Sequence, residues 1–497
     1  MANKQKWLAG AGALVLAFGA GGLMFSGGDE VTEEEMRELA SSVENSEEQS
    51  GSEGQSSEAT EAEEEIEADL TKVAQAFEMI QQNYIDDVED EKLIEGAIEG
   101  MVNELDDPFS DYMDAETAEE FIESLDAQFE GIGAEVSMEN GYVTIMSPFN
   151  DSPAEDAGLQ PNDRIIEIDG EPIEDETLNE AVMKIRGEKG SVVTLTIDRP
   201  GTEDTFDVDV ERDEIPIETV ESETYERNGE TVGVLTLNSF SQDTAAHFEE
   251  HLDELESEGI QGLVVDVRGN PGGYLNSVED IGDLIIPGGE PVVQIEDPMG
   301  QTMQHISNLE EDKDYPMAAV TNEGSASASE ILAAAMMESG GHDVVGESSF
   351  GKGTVQQSLD LGDGSELKLS LFRWLTADGN DINEEGVTPT VEVEQPSYFT
   401  LPALQVDETF AEDDHDEQIR IAQEILTVLN YDPERTDGYL DGETSAQLEA
   451  FQSEQGLSEN GELDDETATA LHQNILDEVR DPANDAQLQK ALELVSE

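Results

Sequence analysis

Residues 320–357 read VTNEGSASASEILAAAMMESGGHDVVGESSFGKGTVQQ. An apolar, strand-like run ends at Val320, a ladder of Gly, Ser and Ala follows at 324–329, and the Ala-, Leu- and Met-rich segment 330–338 predicts a helix. The small residues therefore lie where a strand turns into a helix. Backbone N–H groups at a helix start are unpaired and can hold a developing negative charge, so this turn could carry a nucleophile.

A serine in that turn needs a base, because its hydroxyl is a weak nucleophile until it loses its proton. His342 lies beyond the helix in a Gly-Gly-His-Asp turn, so Lys352 is the more suggestive base. A lysine acts as a base only when neutral, which requires an apolar pocket that lowers its pKa from about 10.4 to roughly 7–8. If 352–356 is a strand, Lys352 and Gln356 share one face, and Gln356 could orient the amine.

The segments GSASASEI at 324–331 and FGKGTVQ at 350–356 together resemble the C-terminal processing peptidases, or tail-specific proteases. These are serine proteases with a Ser–Lys pair, and their nucleophile is the middle Ser of the SASAS run, 25 positions before the Lys. The resemblance implies Ser327 as nucleophile, Lys352 as general base, Gln356 as its partner and the Ala328 N–H as one oxyanion donor. The alternative is a Gly- and Ser-rich turn with a structural lysine.

Composition restricts the class of protein. The 497 residues include 121 Asp and Glu but only 21 Lys and Arg, which gives a formal charge of −100 and argues against nucleic acid or anionic lipid as a surface partner. The acid is spread along the chain between apolar periodic segments, which indicates a folded protein suited to high salt, where charge repulsion is screened within a few Å. The absence of Cys excludes disulfides, thiol catalysis and Cys-based metal sites.

The N-terminal part indicates export. Residues 1–28 contain Lys4, Lys6 and the uncharged apolar run Trp7–Phe25, which is near the minimum length of a membrane span and predicts a cytoplasmic N-terminus. A retained anchor is favoured over a cleaved signal peptide, and either places the rest of the chain outside the cytoplasm. Residues 29–68 form an acidic linker that is predicted to be disordered. Residues 69–125 show helical spacing and resemble the family's N-terminal region, which could pair with a second copy or simply pack internally.

Residues 126–212 resemble a PDZ domain. A Gly-rich loop leads into a strand, a short helix ends at Gly158, and the pattern of 179–186 predicts the helix that lines a peptide groove. Such a loop presents N–H groups to a terminal carboxylate while the peptide adds a strand to the sheet edge. Arg186 could hold that carboxylate or take part in a surface ion pair. The residues assigned to peptide binding are Gly131, Ile132, Gly133, Ala134 and Arg186.

Residues 213–400 are predicted to form the protease core. The unbroken apolar strand Gly262–Arg268 ends in the turn 269–273, which resembles the family's RxNxGG segment and implies Gly273 as the second oxyanion donor, with Gly272 as the fallback. Alternating strands and helices indicate an α/β core, similar to the crotonase/ClpP type by the family resemblance. The fold class is thus multidomain α+β: a PDZ domain before this core, and a small all-α C-terminal domain.

Residues 247–251 match H-x-x-E-H, an inverted zinc-protease motif, through His247 and His251. The acidic helix has no evident third ligand, so a solvated helix face is favoured over zinc, and no metal or cofactor is expected.

After an acidic linker at 401–414, residues 415–473 resemble the peptidoglycan-binding domain, with a helical spacer as the alternative. Residues 474–497 are predicted to form a further helix without an assigned role.

The sequence therefore predicts a single-pass, membrane-tethered serine endopeptidase outside the cytoplasm, which recognises C-terminal tails of protein substrates and binds the cell wall. A non-catalytic PDZ and cell-wall scaffold is the first alternative, and the intact Ser–Lys–Gln set argues against it. A crotonase-like acyl-CoA enzyme is the second, and export and the PDZ domain argue against that.

Overall fold

The computed structural model describes residues 71–496, apart from short gaps at 116, 119–120, 123–127, 140–141, 150–151, 174–177, 201, 203–204, 217 and 407. The apolar run 7–25 and the acidic segment 29–68 lie outside the described residues. Within 71–496, no described helix has the length and apolar character needed to cross a membrane. The described residues divide into two compact units, one with 71–118 and 356–370, the other with 121–355 and 371–496.

The smaller unit contains helices α1 (71–83) and α2 (Asp90–Asn103) and strand β1 (Asp111–Met113). Strand β1 pairs antiparallel with residues 366–368, so that Tyr112 lies opposite Leu367. Strand β1 lies after Asp106-Asp107-Pro108, where the helical pattern of the sequence is interrupted, and its three residues are too few to show a period of two. Both helices expose apolar side chains; these include Val73, Met79, Ile80, Ile94 and Met101.

The PDZ region begins and ends in a two-stranded ribbon, in which β2 (Gln128–Gly131) pairs antiparallel with β9 (Asp213–Pro216). Between them lies a sheet of strand order β3-β4-β5-β7-β8, with β6 beside β5. On β7, Val193, Leu195 and Ile197 are buried and alternate with half-buried threonines, so this face forms the core. The elements are β3 (Ala134–Glu139), β4 (Tyr142–Pro148), α3 (Pro153–Asp156), β5 (Arg164–Ile168), β6 (Glu171–Pro172), α4 (Leu178–Ile185), β7 (Val192–Asp198) and β8 (Phe206–Glu211).

The protease core is built on a sheet of strand order β10-β11-β12-β15-β16-β19, in which β10 is antiparallel and the other pairs are parallel. Successive residues of the buried strand β12 point to opposite apolar layers, Leu263 and Val265 to one and Val264 to the other. Helices α5, α6 and α7 cover the first layer. The elements are β10 (Val220–Arg227), β11 (Glu230–Leu237), α5 (Thr244–Glu258), β12 (Gly262–Asp266), α6 (Leu275–Ile285), β15 (Met317–Thr321), α7 (Ala328–Glu338), β16 (Asp343–Gly346) and β19 (Val391–Glu392).

Four further strands lie in sequence between these elements, two after α6 and two after β16. Strand β13 (Pro291–Glu296) pairs with β14 (Thr302–Ile306) and with residues 373–375 of β18. Strands β17 (Thr354–Asp360) and β18 (Glu366–Leu375) pair with each other. The chain that leads into β17 carries the candidate base Lys352.

The C-terminal helices α8 (Glu417–Val428), α9 (Gly442–Gln455) and α10 (Asp465–Arg480) enclose their own apolar cluster. Leu404 and Val406, from the predicted acidic linker 401–414, are buried in that cluster. Helix α10 continues past residue 473, where the sequence analysis ended the domain. A last helix, α11 (Ala486–Leu494), packs on the second apolar layer of the protease sheet.

Candidate active site

The turn between β15 and α7 contains a strained residue. Ser327 has φ 55° and ψ −113°, a left-handed conformation that L-residues rarely adopt and that costs on the order of 1–3 kcal/mol. Such strain persists only where the surrounding structure enforces it, and it recurs at nucleophile turns between a strand and a helix. The backbone thus singles out the serine that the resemblance implies.

The two neighbouring serines of the run are occupied in structural hydrogen bonds. Ser325 is buried and its hydroxyl donates to the Val267 carbonyl at 2.8 Å. Ser329 is buried and its hydroxyl donates to the Asn270 carbonyl at 2.9 Å. Ser327 is half-buried, so its side chain is the one within reach of a substrate.

The glycine turn 269–273 lies directly against this serine turn. A Cβ on Gly272 would lie 2.8 Å from Ser327 Cβ and 3.0 Å from Ala328 N, and a Cβ on Gly273 would lie 2.1 Å from Phe240 O. The close packing therefore requires glycine at both positions. The buried Asn270 holds the turn, because its Nδ2 donates to the Leu237 carbonyl at 2.8 Å.

The candidate oxyanion donors differ in availability. The Gly272 N–H donates to Asn270 Oδ1 at 2.8 Å, whereas among the hydrogen bonds of the described residues none is donated by the N–H of Gly273 or of Ala328. Ala328 is the first residue of α7, where the helix N-terminus favours negative charge. This arrangement favours Gly273 over the fallback Gly272 as the partner of Ala328.

The backbone of Lys352 is held from two sides. Its N–H donates to Glu330 Oε2 at 2.9 Å, and its carbonyl accepts from Nε1 of the buried Trp374 at 2.7 Å. Lys352 lies two residues before β17 begins at Thr354. The condition that 352–356 forms one strand is therefore not met at residues 352 and 353, and the shared-face argument for Gln356 does not apply.

Glu330 is a residue of the candidate site that the sequence motifs did not reveal. Its side chain is fully buried, and Oε2 accepts from the N–H of Ser327 at 2.8 Å as well as from that of Lys352. The two backbone nitrogens share one oxygen atom, so they can be no farther apart than the sum of the two distances, 5.7 Å. Oε1 accepts from the Ser349 hydroxyl at 2.5 Å and from the Gly351 N–H at 2.7 Å. One carboxylate therefore ties the serine turn to the lysine segment.

The sequence does contain a pattern that involves Glu330, but this pattern predicts only a helix cap. Glutamate at the third helical position after a serine is the capping-box pattern, which predicts a carboxylate that returns to the N-cap backbone. That pattern explains the bond to Ser327 N–H. The contacts to residues 349–352 depend on tertiary structure, about 20 positions along the chain.

The other candidate residues of the core are placed as follows. Gln356 Nε2 donates to Ser370 Oγ at 3.0 Å. Burial lowers the pKa of His342, and the neighbouring Asp343 opposes this shift. On α5, His251 Nδ1 is 2.8 Å from Ser222 Oγ. Within the described part of the chain, no three His, Asp or Glu side chains are grouped to hold a metal ion.

The PDZ residues form a tight loop beside an edge strand. Gly133 has φ 72°, and its carbonyl accepts from Phe149 N–H, while the Ile132 carbonyl accepts from Ala154 N–H at 2.7 Å. Strand β3, which begins at Ala134, lies at an edge of its sheet. Arg186 directly follows α4, whose end is capped by the buried Arg212 through the carbonyls of Lys184 and Ile185. An edge strand of this kind can accept a peptide as an added strand.

Comparison with known proteins agrees with this architecture. Residues 231–393 match the model for peptidase family S41, 16–117 the N-terminal domain of the activating protease CtpB, 145–199 a PDZ domain and 415–471 a putative peptidoglycan-binding domain. The chain is 48% identical over 423 residues to the carboxy-terminal processing protease CtpB of Bacillus subtilis, covering 85% of this chain and 88% of that protein. It is 39% identical over 422 residues to CtpA of the same organism, covering 85% and 89%.

A solved structure of the photosystem II D1 C-terminal processing protease is 27% identical, with a TM-score of 0.40, and covers 66% of this chain and 93% of that one. The family assignment depends on the two Bacillus relatives and on the domain matches. The chain therefore belongs to peptidase family S41, as a carboxy-terminal processing serine protease with a PDZ domain and a peptidoglycan-binding domain.

Proposed function

We propose that the chain is a membrane-tethered extracytoplasmic endopeptidase that captures C-terminal tails of substrates with its PDZ domain and cleaves with a Ser327–Lys352 dyad. The observation that carries the proposal is the shared bond of the Ser327 and Lys352 amides to one buried oxygen of Glu330. It supports a serine and a lysine held in one site. The family resemblance also assigns Gln356 a part as the partner of Lys352.

The proposed reaction follows acyl transfer through a covalent intermediate. Ser327 Oγ attacks the scissile carbonyl carbon while its proton passes to neutral Lys352 Nζ, and the N–H groups of Ala328 and Gly273 stabilise the oxyanion. Collapse breaks the C–N bond, and Lys352 returns the proton to the leaving amine. Water then attacks the acyl carbon while Lys352 accepts its proton. Collapse breaks the bond between that carbon and Ser327 Oγ, and Lys352 returns the proton to Ser327 Oγ as the acid product leaves.

Tail capture is proposed at strand β3 and the loop 131–134. The unpaired edge of β3 can bind an extended tail as an added strand, while the loop amides and Arg186 would receive its carboxylate. The apolar run 7–25 would hold the chain at the membrane, and the helical domain 415–471 would bind peptidoglycan. A homodimer formed through the N-terminal helices would be compatible with their exposed apolar side chains.

The test is cleavage of an exported protein with an apolar, unstructured tail, with products identified by mass spectrometry. The wild-type chain is expected to release defined fragments, and Ser327→Ala is expected to release none while still binding the tail peptide. Tail binding without cleavage by the wild-type chain would instead support the non-catalytic scaffold. Binding of coenzyme A would support the acyl-CoA alternative.

Salt and pH are expected to affect the rate strongly. The formal charge of −100 creates a negative potential that favours the protonated form of any lysine, and salt screens that potential. We therefore expect kcat/KM to rise from low salt toward molar salt, and from neutral toward mildly alkaline pH. Steady-state kinetics in NaCl and KCl at several pH values measure this. A rate that falls monotonically with salt contradicts the expectation.

A further inference from the structure

The last helix of the chain packs on the second apolar layer of the protease sheet, opposite the layer that α5, α6 and α7 cover. On α11, Leu488, Ala491 and Leu492 are buried against strand residues that include Val264 and Val320. The approach is close, because a Cβ on Gly262 would lie 2.5 Å from the carbonyl oxygen of Val495. The C-terminal segment is thus part of the protease core, although the helices α8, α9 and α10 separate it from the core in sequence.

Asp485, which directly precedes α11, is bound to Arg268, two residues after β12 ends. Asp485 caps α11, since its Oδ1 accepts from Leu488 N–H at 2.9 Å. Both of its oxygens also accept from Arg268, with Oδ1 3.0 Å from Nη1 and Oδ2 2.8 Å from Nη2. Gln395 Nε2 adds a further bond to Oδ1 at 2.7 Å. Burial alone would raise the pKa of Asp485, but the bonds from Arg268 outweigh it and hold the pKa below its usual value.

Arg268 joins two carboxylates. Its Nε lies 2.9 Å from Asp266 Oδ1 and its Nη2 2.5 Å from Asp266 Oδ2, in addition to the pair of bonds to Asp485. The side chains of Asp266, Arg268 and Asp485 are 9%, 18% and 12% exposed, so the charges are largely shielded from solvent. A shielded arginine that loses one of two carboxylates is left underpaired, and it would move toward solvent or draw in water.

The backbone of Arg268 continues directly into the glycine turn of the oxyanion site. Gly269 N–H donates to Asn322 Oδ1 at 2.9 Å, and the Asn270 carbonyl accepts from Ala326 N–H at 3.0 Å. The turn therefore lies between the Arg268 network on one side and the Ser327 turn on the other. A shift of Arg268 would be transmitted to Gly273 through the turn 269–273, which these hydrogen bonds hold against the Ser327 turn.

We propose that Asp485 is a positioning residue for the oxyanion site, which acts through Arg268 on the turn that presents the Gly273 N–H. The inference deepens the proposed function and depends on it. It assigns to the C-terminal segment, 158 residues after Ser327 in sequence, a part in transition-state stabilisation. Since this segment directly follows α10, it also links the peptidoglycan-binding-like helices to the catalytic turn.

The experiment compares Asp485→Asn with Gln489→Ala in the full chain. Gln489 lies one turn along α11 and accepts from Arg227 Nη1 at 2.7 Å, so its loss weakens docking of the same helix without contact to Arg268. For each variant, kcat and KM are measured with a cleavable peptide, together with Tm. Inhibition constants are measured for a peptide aldehyde, whose adduct places an oxyanion in the site, and for the matching peptide alcohol, which forms no adduct.

Asp485→Asn is expected to lower kcat about tenfold or more and to weaken aldehyde inhibition by a similar factor, with KM and alcohol inhibition unchanged. Gln489→Ala is expected to retain wild-type kcat even if its Tm falls. Wild-type kcat in Asp485→Asn, or an equal kcat loss in both variants at equal Tm, overturns the inference.

If Asp485→Asn does not fold, Gln487→Ala takes its place, since Gln487 Oε1 accepts from Arg268 Nη1 at 3.1 Å. Gln487→Ala is expected to lower kcat and weaken aldehyde inhibition by a smaller factor, with KM and alcohol inhibition unchanged. Wild-type kcat and wild-type aldehyde inhibition in this variant count against the inference. Cleavage by the wild-type chain that is absent in Ser327→Ala tests the proposed function separately, so the two ideas can fail independently.

Discussion

Replacement of Lys352 by Ala is expected to lower kcat by at least about 10⁴-fold, because members of a nucleophile–base pair act as a unit and the loss of one disables the other. The backbone at this position is fixed through Glu330 and Trp374, and Ala keeps both of those main-chain bonds. The change therefore removes the amine and leaves the segment in place. Single-turnover and steady-state kinetics with a tail-bearing peptide measure the loss.

Two further lysine variants separate base chemistry from charge. Lys352→Arg keeps a positive charge but cannot supply a neutral amine, so it is expected to be as inactive as Lys352→Ala. Lys313→Ala is the matched control, because Lys313 is a largely buried core lysine that pairs with Glu256 at 2.6 Å. Lys313→Ala is expected to lower Tm and retain kcat. Substantial activity in Lys352→Arg would show that the residue acts through its charge alone.

Glu330→Gln is expected to lower kcat by about 10²-fold or more and to destabilise the fold by about 1–3 kcal/mol. Four donors converge on the carboxylate, and the amide nitrogen of Gln would face two of them without being able to accept. In either orientation of that amide, a backbone N–H of the lysine segment, that of Gly351 or of Lys352, loses its acceptor, which weakens the link to the Ser327 turn. Kinetics and thermal unfolding of the same preparation measure both effects.

Ser349→Ala is the control for Glu330. It removes one bond to Oε1 and leaves Oε2, which binds Ser327 and Lys352. A similar loss of stability is expected, since Ser349 Oγ also accepts from Val387 N–H at 2.7 Å, but with a much smaller loss of kcat. If both variants lose activity in proportion to stability, Glu330 is a packing residue and not a positioning one.

Much of the architecture could be predicted because it follows from local pattern. The buried strand β12 contains the apolar run Leu263–Val265, the small-residue ladder 324–329 precedes a helix-forming segment, and the PDZ region shows a Gly-rich loop that leads into a strand. The sequence pattern did not reveal β1, which has only three residues, or that β17 begins at Thr354 and not at Lys352. Helix α10 extends to Arg480, past residue 473, because amphipathic helix continues where the family motif ends.

The sequence by itself determined the order of domains and pointed to a candidate nucleophile turn and a candidate lysine, because these depend on residues close together in the chain. Only the tertiary structure decided which buried carboxylate joins the Ser327 turn to the Lys352 segment, which glycine N–H is left available, and where the last helix docks. Glu330 meets residues 349–352, and Asp485 meets Arg268, across separations of about 20 and 217 positions. Periodicity carries no information about such pairs, since a carboxylate that caps a helix has the same local pattern whether or not a distant donor also reaches it.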